Sequence, residues 1–167
     1  RIKSVHLTFR LNPTNTIVIA KILFSPRKLN CNLELDGVDL NLQKVQINGL
    51  NIDLNLLSIE HHILTVPNDL LPTDDFYWQA ETIISPQTNT SLDGLYLSSG
   101  IYCTQCEAQG FRKITYFLDR PDIMSTYTVR IEGREPVLLS NGNQISIGKG
   151  FTEWHDPWPK PSYLFAL

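Results

Sequence analysis

The chain has 167 residues, of which 42% are hydrophobic and 19% are charged, and its formal net charge is -3. This composition is too apolar for a disordered protein, and the scattered Lys and Arg residues offer no positive surface for nucleic acid. The apolar runs fall well short of the roughly 20 residues of a membrane-spanning helix. We therefore expect one folded domain over residues 1–167, with neither nucleic acid nor a membrane as partner.

The first half of the chain alternates between apolar and polar residues with a period of two, which is typical of half-buried β-strands. A first strand is predicted over 4–11, and a polar turn over 12–15 separates it from a second strand over 16–24. Shorter strands, separated by turn residues such as Asp-Gly and Asn-Gly, are predicted at Cys31 to Leu35, Leu40 to Ile47, Ile52 to Leu56 and His62 to Val66.

The second half continues the same pattern. A long strand is predicted over 76–84, followed by a polar connection over 86–94. Further strands are predicted at Leu95 to Cys106, Lys113 to Leu118, Ser125 to Glu132, Val137 to Leu139, Gln144 to Ile147 and Tyr163 to Leu167. Helical spacing is confined to one turn at 121–125. The pattern predicts an all-β, antiparallel, sandwich-like domain of about a dozen strands.

Cysteine usage bears on the cellular compartment. The chain has Cys31, Cys103 and Cys106, an odd number that argues against a disulfide framework and favours a reducing compartment, so we expect a cytoplasmic protein. The sequon 89–91 points to secretion, but such a triplet arises easily by chance in a chain rich in Asn. The chain starts at Arg1 without a methionine, as an excised piece of a longer protein does.

Cysteine and histidine spacing bears on possible metal and catalytic sites. Cys103 and Cys106 form a C-x-x-C pair, but a structural zinc needs four ligands, and neither a second C-x-x-C nor a paired-His motif occurs. His61 and His62 are predicted to be neighbours on a strand, which points them to opposite faces. His155 has no Ser or Cys in a nucleophile-elbow context. We therefore expect ordinary thiols, and neither a metal ligand nor a catalytic residue in this chain.

The segment that starts at Glu107 is the hardest to explain as scaffold. The stretch 107–110 breaks the alternation and ends at a glycine, so a carboxylate is presented where a strand ends. Loops at strand ends commonly carry binding residues. From the residues alone, a plain surface carboxylate is the commoner outcome. Farther along, Asp119 and Arg120 precede a proline and are predicted to form an ion pair that fixes the turn.

Four blocks of the second half resemble the amino-terminal domain of bacterial zinc aminopeptidases of the M1, or aminopeptidase N, family. These blocks are CTQCEAQGFR at 103–112, ITYFLDRPDI at 114–123, LLSNGN at 138–143 and WHDPWPKPSYLFAL at 154–167. The resemblance is tight over the second half and looser before it. In that family this domain is a saddle-shaped β structure that packs on a thermolysin-like catalytic domain, which follows it in the polypeptide.

The resemblance also implies where the chemistry lies. In the family the zinc is held by the catalytic domain, which carries the motifs G-x-M-E-N and H-E-x-x-H, and neither motif occurs in this chain. The resemblance therefore implies zinc as cofactor of the full-length enzyme and not of this chain. It implies that the isolated chain is inactive, and that its partners are peptides with a free N-terminus and the catalytic domain of the same polypeptide.

Two site residues follow from the Q-C-E-A motif of the family, whose acid maps onto Glu107 and whose glutamine maps onto Gln105. The resemblance implies that Glu107 binds the free α-amine of the substrate and that Gln105 lines the pocket for the first side chain. A protonated α-amine donates charge-assisted hydrogen bonds that an internal peptide bond cannot reproduce. Gln109 stands where bacterial members often have a second acid, which alters the local charge.

Two other hypotheses stay open at this point. A non-catalytic β-sandwich module that binds carbohydrate or protein fits the strand pattern and the aromatic loops equally well. A relative that has lost its zinc ligands and serves as a scaffold is the other. The parent gene downstream of Leu167 distinguishes them, because G-x-M-E-N followed by H-E-x-x-H supports the aminopeptidase.

Overall fold

The computed structural model describes residues 1–27 and 30–167, and this part of the chain is built almost wholly from β-strands. Its thirteen strands are β1 Ile2–Arg10, β2 Thr16–Phe24, β3 Leu33–Asp36, β4 Asn41–Ile47, β5 Leu50–Asn51, β6 Ser58–Glu60, β7 Ile63–Val66, β8 Phe76–Ile84, β9 Gly94–Ser98, β10 Ile101–Gln105, β11 Ser125–Glu132, β12 Asn143–Gly148 and β13 Phe151–Lys160. Single-turn 3-10 helices form at Leu54–Leu56, Asn68–Leu70, Pro86–Thr88, Phe111–Lys113 and Ser162–Leu164. The predicted all-β class is confirmed.

Eight of these strands form one large sheet in the order β12-β13-β11-β1-β2-β8-β4-β5. β9 and β10 form a separate hairpin, and β3, β7 and β6 form a small sheet. β1 pairs with β11 in parallel, with Ser4 opposite Thr126, whereas the other strand pairs of the described residues are antiparallel. The large sheet is therefore mixed, and its one parallel pair departs from the predicted antiparallel arrangement. A period of two could not reveal this pair, because it carries no information about strand direction.

One hydrophobic core joins the large sheet to the small one. Alternate side chains of β1, β2, β8 and β11 are buried, and Trp78 of β8 is the largest of the fully buried side chains. The small sheet adds Leu35 and Leu64 to the same buried cluster. Full burial of each such side chain contributes about 1.5–3 kcal/mol, so these two layers account for the sandwich-like fold.

Several predicted strands differ from the structure. The segment predicted as a strand over 52–56 contains a 3-10 helix, because the Asp53 carboxylate accepts a hydrogen bond from the Asn55 backbone N–H at 3.0 Å and caps it. The segment over 113–118 begins at the end of a 3-10 helix and continues as a loop, in which Phe117 forms an isolated β-bridge to Asp36. The segment over 137–139 is also a loop.

His61 and His62 do not lie on a strand as predicted. They form the turn between β6 and β7, with φ values of 50° and 67°, and both are exposed. Neither lies in a group of three or more His, Cys, Asp or Glu residues able to hold a metal ion within the described residues. No helix of the described ranges is long and apolar enough to cross a membrane.

Candidate functional site

The candidate site lies at the end of the β9–β10 hairpin. Ile101 pairs with Ser98 at the turn, and Gln105 pairs with Gly94 at the open end of the hairpin. Asn89 holds the connection that leads into β9, because its side-chain amide donates to the carbonyl of Leu95 at 2.9 Å. The amide of the sequon is thus engaged within the fold.

A tight turn follows β10. Cys106 is buried with 2% of its surface exposed, and residues 107–110 then turn back at the surface. The Gly110 backbone N–H donates to the Cys106 carbonyl at 2.9 Å and closes this turn, and the peptide bond between Glu107 and Ala108 is cis. Because Cys106 points inward, Glu107 is left on the outside.

Gln105 and Glu107 are both exposed and lie next to each other. The Gln105 side-chain amide donates to the backbone carbonyl of Glu107 at 3.3 Å. The Glu107 carboxylate itself forms no hydrogen bond or ion pair with another residue of the described chain. An exposed carboxylate without an internal partner is available to a cationic ligand.

Gly110 allows the turn to pack closely on β10. A Cβ at this position would lie 2.3 Å from the Gln105 carbonyl oxygen and 2.9 Å from the Cys106 Cα, both of which are backbone atoms. The φ of Gly110 is -78°, which any residue adopts, so contact and not conformation excludes a side chain. Lys113 braces the outer side, because its ammonium lies 3.4 Å from the Asp93 carboxylate.

The C-terminal tail lies beside the hairpin. The Ala166 backbone N–H donates to the Asn141 side chain at 2.6 Å, and the Ser140 hydroxyl donates to the Ala166 carbonyl at 2.7 Å. Leu167 is hydrogen-bonded to Thr104 of β10, one residue before Gln105. The segment 138–143 and the tail, which were separate blocks in the sequence, therefore support the same strand.

The two thiols of the C-x-x-C pair lie in different surroundings. Burial, together with smaller contributions from the carboxylates of Asp119 and Asp93, raises the pKa of the Cys106 thiol to about 12. Cys103 is half-buried, and both thiols are free. Over residues 1–27 and 30–167 no group of three or more His, Cys, Asp or Glu residues could hold a metal ion, so the described residues do not fit zinc.

The predicted ion pair between Asp119 and Arg120 was wrong. Arg120 pairs with Asp122 at 2.6 Å on the surface, whereas Asp119 is buried and pairs with Arg112 at 2.9 Å. Asp119 and Arg120 are adjacent in the sequence, which suggested that they pair. In the folded chain Asp119 pairs with Arg112 instead. The alternation of apolar residues gave no signal for the pairing of Arg112 with Asp119, because Arg112 lies in a 3-10 helix and Asp119 lies in a loop.

Comparison with known proteins agrees with this architecture. The family model described as the Peptidase M1 N-terminal domain matches residues 3–164. Aminopeptidase N of Haemophilus influenzae is 40% identical over 177 aligned residues, covering 99% of this chain and 20% of that protein. This chain therefore spans only a fifth of the length of that curated relative.

Solved structures share the fold. Aminopeptidase A of Legionella pneumophila, solved in complex with aspartic acid, has a TM-score of 0.88 at 31% identity, covering 99% of this chain and 20% of that chain. An M1 zinc metallopeptidase of Deinococcus radiodurans has a TM-score of 0.81 at 16% identity, covering 99% of this chain and 40% of that one. The second shows the fold alone, but the family model spans nearly all of the sequence. The chain therefore belongs to the family of M1 peptidase N-terminal domains.

Proposed function

We propose that this chain is the substrate-anchoring domain of a zinc aminopeptidase that removes N-terminal amino acids from peptides. Glu107 binds the substrate α-amine, and Gln105 lines the pocket for the first side chain. The observation that supports this assignment is the exposed Glu107 carboxylate, which has no partner among the described residues and is held at a tight turn. Membership of the M1 family favours it over a module that binds carbohydrate or protein.

The chemistry of the α-amine explains the selectivity that we propose. A protonated amine carries a positive charge and several N–H donors, so its hydrogen bonds to a carboxylate are charge-assisted. Such a bond contributes about 1.5–3 kcal/mol, or roughly a 10- to 100-fold preference over a neutral amide. Recognition of the terminal amine places the first peptide bond, and no later one, at the reacting centre.

The proposal divides the work between two parts of one polypeptide. Zinc supplies hydrolysis from the catalytic domain, and the residues of this chain bind and orient the peptide. Residues 1–167 form one domain that does not hydrolyse peptides alone, and the whole protein acts in the cytoplasm. Its partners are peptides with a free N-terminus and the catalytic domain of the same polypeptide.

Kinetics of the full-length polypeptide test the proposal. Glu107→Gln keeps the size of the side chain and removes its charge, so kcat/KM for an aminoacyl p-nitroanilide is expected to fall about 10- to 100-fold. Glu60→Gln is the matched control, because Glu60 is also exposed but lies on β6 of the small sheet. Equal kcat/KM values for wild type and Glu107→Gln refute the anchoring role.

A further inference from the structure

Behind the turn that carries Glu107, Arg112 reaches into a polar cluster that links three distant segments. Its Nε lies 2.9 Å from Asp119 Oδ2, its Nη2 donates to the Asp119 carbonyl at 2.9 Å, and its Nη1 lies 3.4 Å from Asp36 Oδ1. We call Arg112, Asp119, Asp36 and Ser162 the Arg112 clamp. The guanidinium thus holds β3 and the loop at 119 through three separate nitrogens.

Asp119 is the buried centre of the clamp, with 1% of its side chain exposed. Its Oδ1 accepts a hydrogen bond from the Ser162 hydroxyl at 2.5 Å, and its Oδ2 accepts one from the Arg112 backbone N–H at 3.3 Å. Its own backbone N–H donates to Asp36 at 3.1 Å. A buried carboxylate satisfied in this way fixes its partners in one geometry, because a displaced partner leaves the charge uncompensated.

The clamp is connected to Glu107 through a short stretch of chain. Cys106 and Phe111 are buried on either side of the turn, and the Phe111 ring packs edge-on against Phe117 with centroids 4.8 Å apart. Between these anchors, the turn is closed by the hydrogen bond from Gly110 to Cys106. The turn that carries Glu107 is therefore joined directly to the 3-10 helix Phe111–Lys113, which contains Arg112.

We propose that Arg112 is a positioning residue for Glu107: it acts through Asp119 to hold the turn in the geometry that binds the substrate α-amine. This inference rests on the proposed function. Lysine cannot replace it, because one ammonium nitrogen cannot reach the contacts that the planar guanidinium makes with Asp119 and Asp36. Lys113 is the natural comparison, because it is a half-buried base of the same 3-10 helix that pairs with Asp93, outside the Arg112 clamp.

A double-mutant cycle in the full-length polypeptide tests the inference. Arg112→Lys is expected to lower kcat/KM about 10-fold, mainly through KM, because the anchor moves and the reacting groups do not. In a Glu107→Gln background the same change is expected to lower kcat/KM less than about 2-fold, because the residue being positioned is already disabled. Lys113→Arg, the control, keeps kcat/KM within about 2-fold of wild type.

Equal fold losses in both backgrounds overturn the inference, because they show a general structural role. An unaffected Arg112→Lys enzyme also overturns it, provided that Glu107→Gln loses activity. If Glu107→Gln loses nothing, the proposed function fails and the inference fails with it.

A milder variant guards against misfolding. Ser162→Ala removes one donor to Asp119 and leaves the ion pair, so a smaller loss of kcat/KM with the same dependence on Glu107 is expected.

Amide hydrogen exchange adds a readout that does not depend on activity. In the folded Arg112→Lys protein, the peptide over 104–114 is expected to exchange faster, while β2 and β8 keep their protection. Unchanged exchange over 104–114 overturns the inference.

Discussion

Thr104 and Leu167 exchange two hydrogen bonds although they are far apart in sequence. The Leu167 backbone N–H donates to Thr104 Oγ1 at 2.9 Å, and the Thr104 hydroxyl lies 3.3 Å from the Leu167 carbonyl oxygen that accepts it. Thr104 immediately precedes Gln105, so the tail of the chain fixes the strand that carries the candidate site. Residue Leu167 therefore supports the candidate site, in addition to the residues that adjoin the site in the sequence.

Replacement of Thr104 by valine tests this support. Thr104→Val keeps the shape of the side chain and removes both hydrogen bonds, so the free energy of unfolding is expected to fall by about 1–2 kcal/mol in urea denaturation. Thr8→Val is the control, because Thr8 is also half-buried on a strand and its hydroxyl has no hydrogen bond within the described residues. A loss for Thr104→Val no larger than that of the control contradicts the assignment.

Gly110 is expected to tolerate no side chain. Gly110→Ala places a Cβ against the backbone of Gln105 and Cys106, so the turn must move, and a loss of about 1–3 kcal/mol in stability is expected. In the full-length polypeptide, kcat/KM is expected to fall as well, because Glu107 moves with the turn. Steady-state kinetics and urea denaturation measure the two effects.

Gly100→Ala separates the effect on the site from a general loss of stability. Gly100 has a φ of 82° and no heavy atom within 4 Å of an added Cβ, so alanine costs about 1 kcal/mol through backbone strain alone. Its kcat/KM is expected to stay near wild type. A Gly110→Ala enzyme with wild-type kcat/KM contradicts the close packing of the turn.

The Cys106 thiol is expected to be nearly inert in the native protein. With its pKa raised to about 12 by burial, its thiolate fraction at pH 8 is roughly 1000-fold lower than that of an ordinary cysteine. Alkylation by iodoacetamide, followed by mass spectrometry of the peptide with Cys106, is expected to be at least about 100-fold slower in buffer than in urea. Equal rates in both solvents contradict the burial of this residue.

The same shift makes stability depend on alkaline pH. The folded pKa of Cys106 is raised above its ordinary value of 9.0, so its contribution is complete below about pH 9 and is lost as pH rises toward about 12. Within this window the free energy of unfolding is expected to fall by up to about 1.4 kcal/mol per pH unit from this group. Urea denaturation of wild type and Cys106→Ala at pH 8 and 10 measures the difference. Identical pH dependence in both proteins contradicts it.

The isolated chain is expected to bind no stoichiometric zinc and to show no aminopeptidase activity. The physical reason is that the described residues bring no group of three or more His, Cys, Asp or Glu side chains together for a metal. Metal analysis after dialysis against micromolar zinc, with an aminoacyl p-nitroanilide assay alongside, measures both. One tightly bound zinc per chain contradicts the prediction.

The central strands of the large sheet could be predicted from sequence because tertiary structure reinforces their local pattern. The predicted strand over 16–24, the one over 76–84 and the one over 125–132 have the bounds of β2, β8 and β11. Each of these strands pairs with a neighbouring strand on both sides, and buried residues alternate with less buried ones along its whole length.

Strand β13 could not be predicted in the same way. Its alternation is weak, and Pro157 and Pro159 are typical of a loop. They are tolerated because β12 pairs with β13 only as far as His155, which leaves the following residues on an edge where a missing N–H costs little. The tail after it was predicted as a strand, but Phe165 is buried by stacking on Phe9 and not by strand pairing.

The candidate site was predictable only in part. A break in alternation at Glu107 indicated a surface carboxylate at a strand end, and the structure has that geometry. The sequence around Asp119 did not predict which basic residue pairs with it. Arg112 reaches Asp119 from a 3-10 helix, and the spacing of apolar residues does not reveal such a helix. Polar pairs in loops depend on the packing of the whole core, and a pattern of apolar spacing contains no information about them.

The Glu107 carboxylate is proposed to recognise the α-amine of a peptide. The most direct measurement is inhibition of the full-length polypeptide by a dipeptide and by its analogue with a hydroxyl in place of the α-amine. We expect the wild type to prefer the amine by about 10- to 100-fold, and Glu107→Gln to lose most of that preference. An amine preference that survives Glu107→Gln in full contradicts recognition of the α-amine by Glu107.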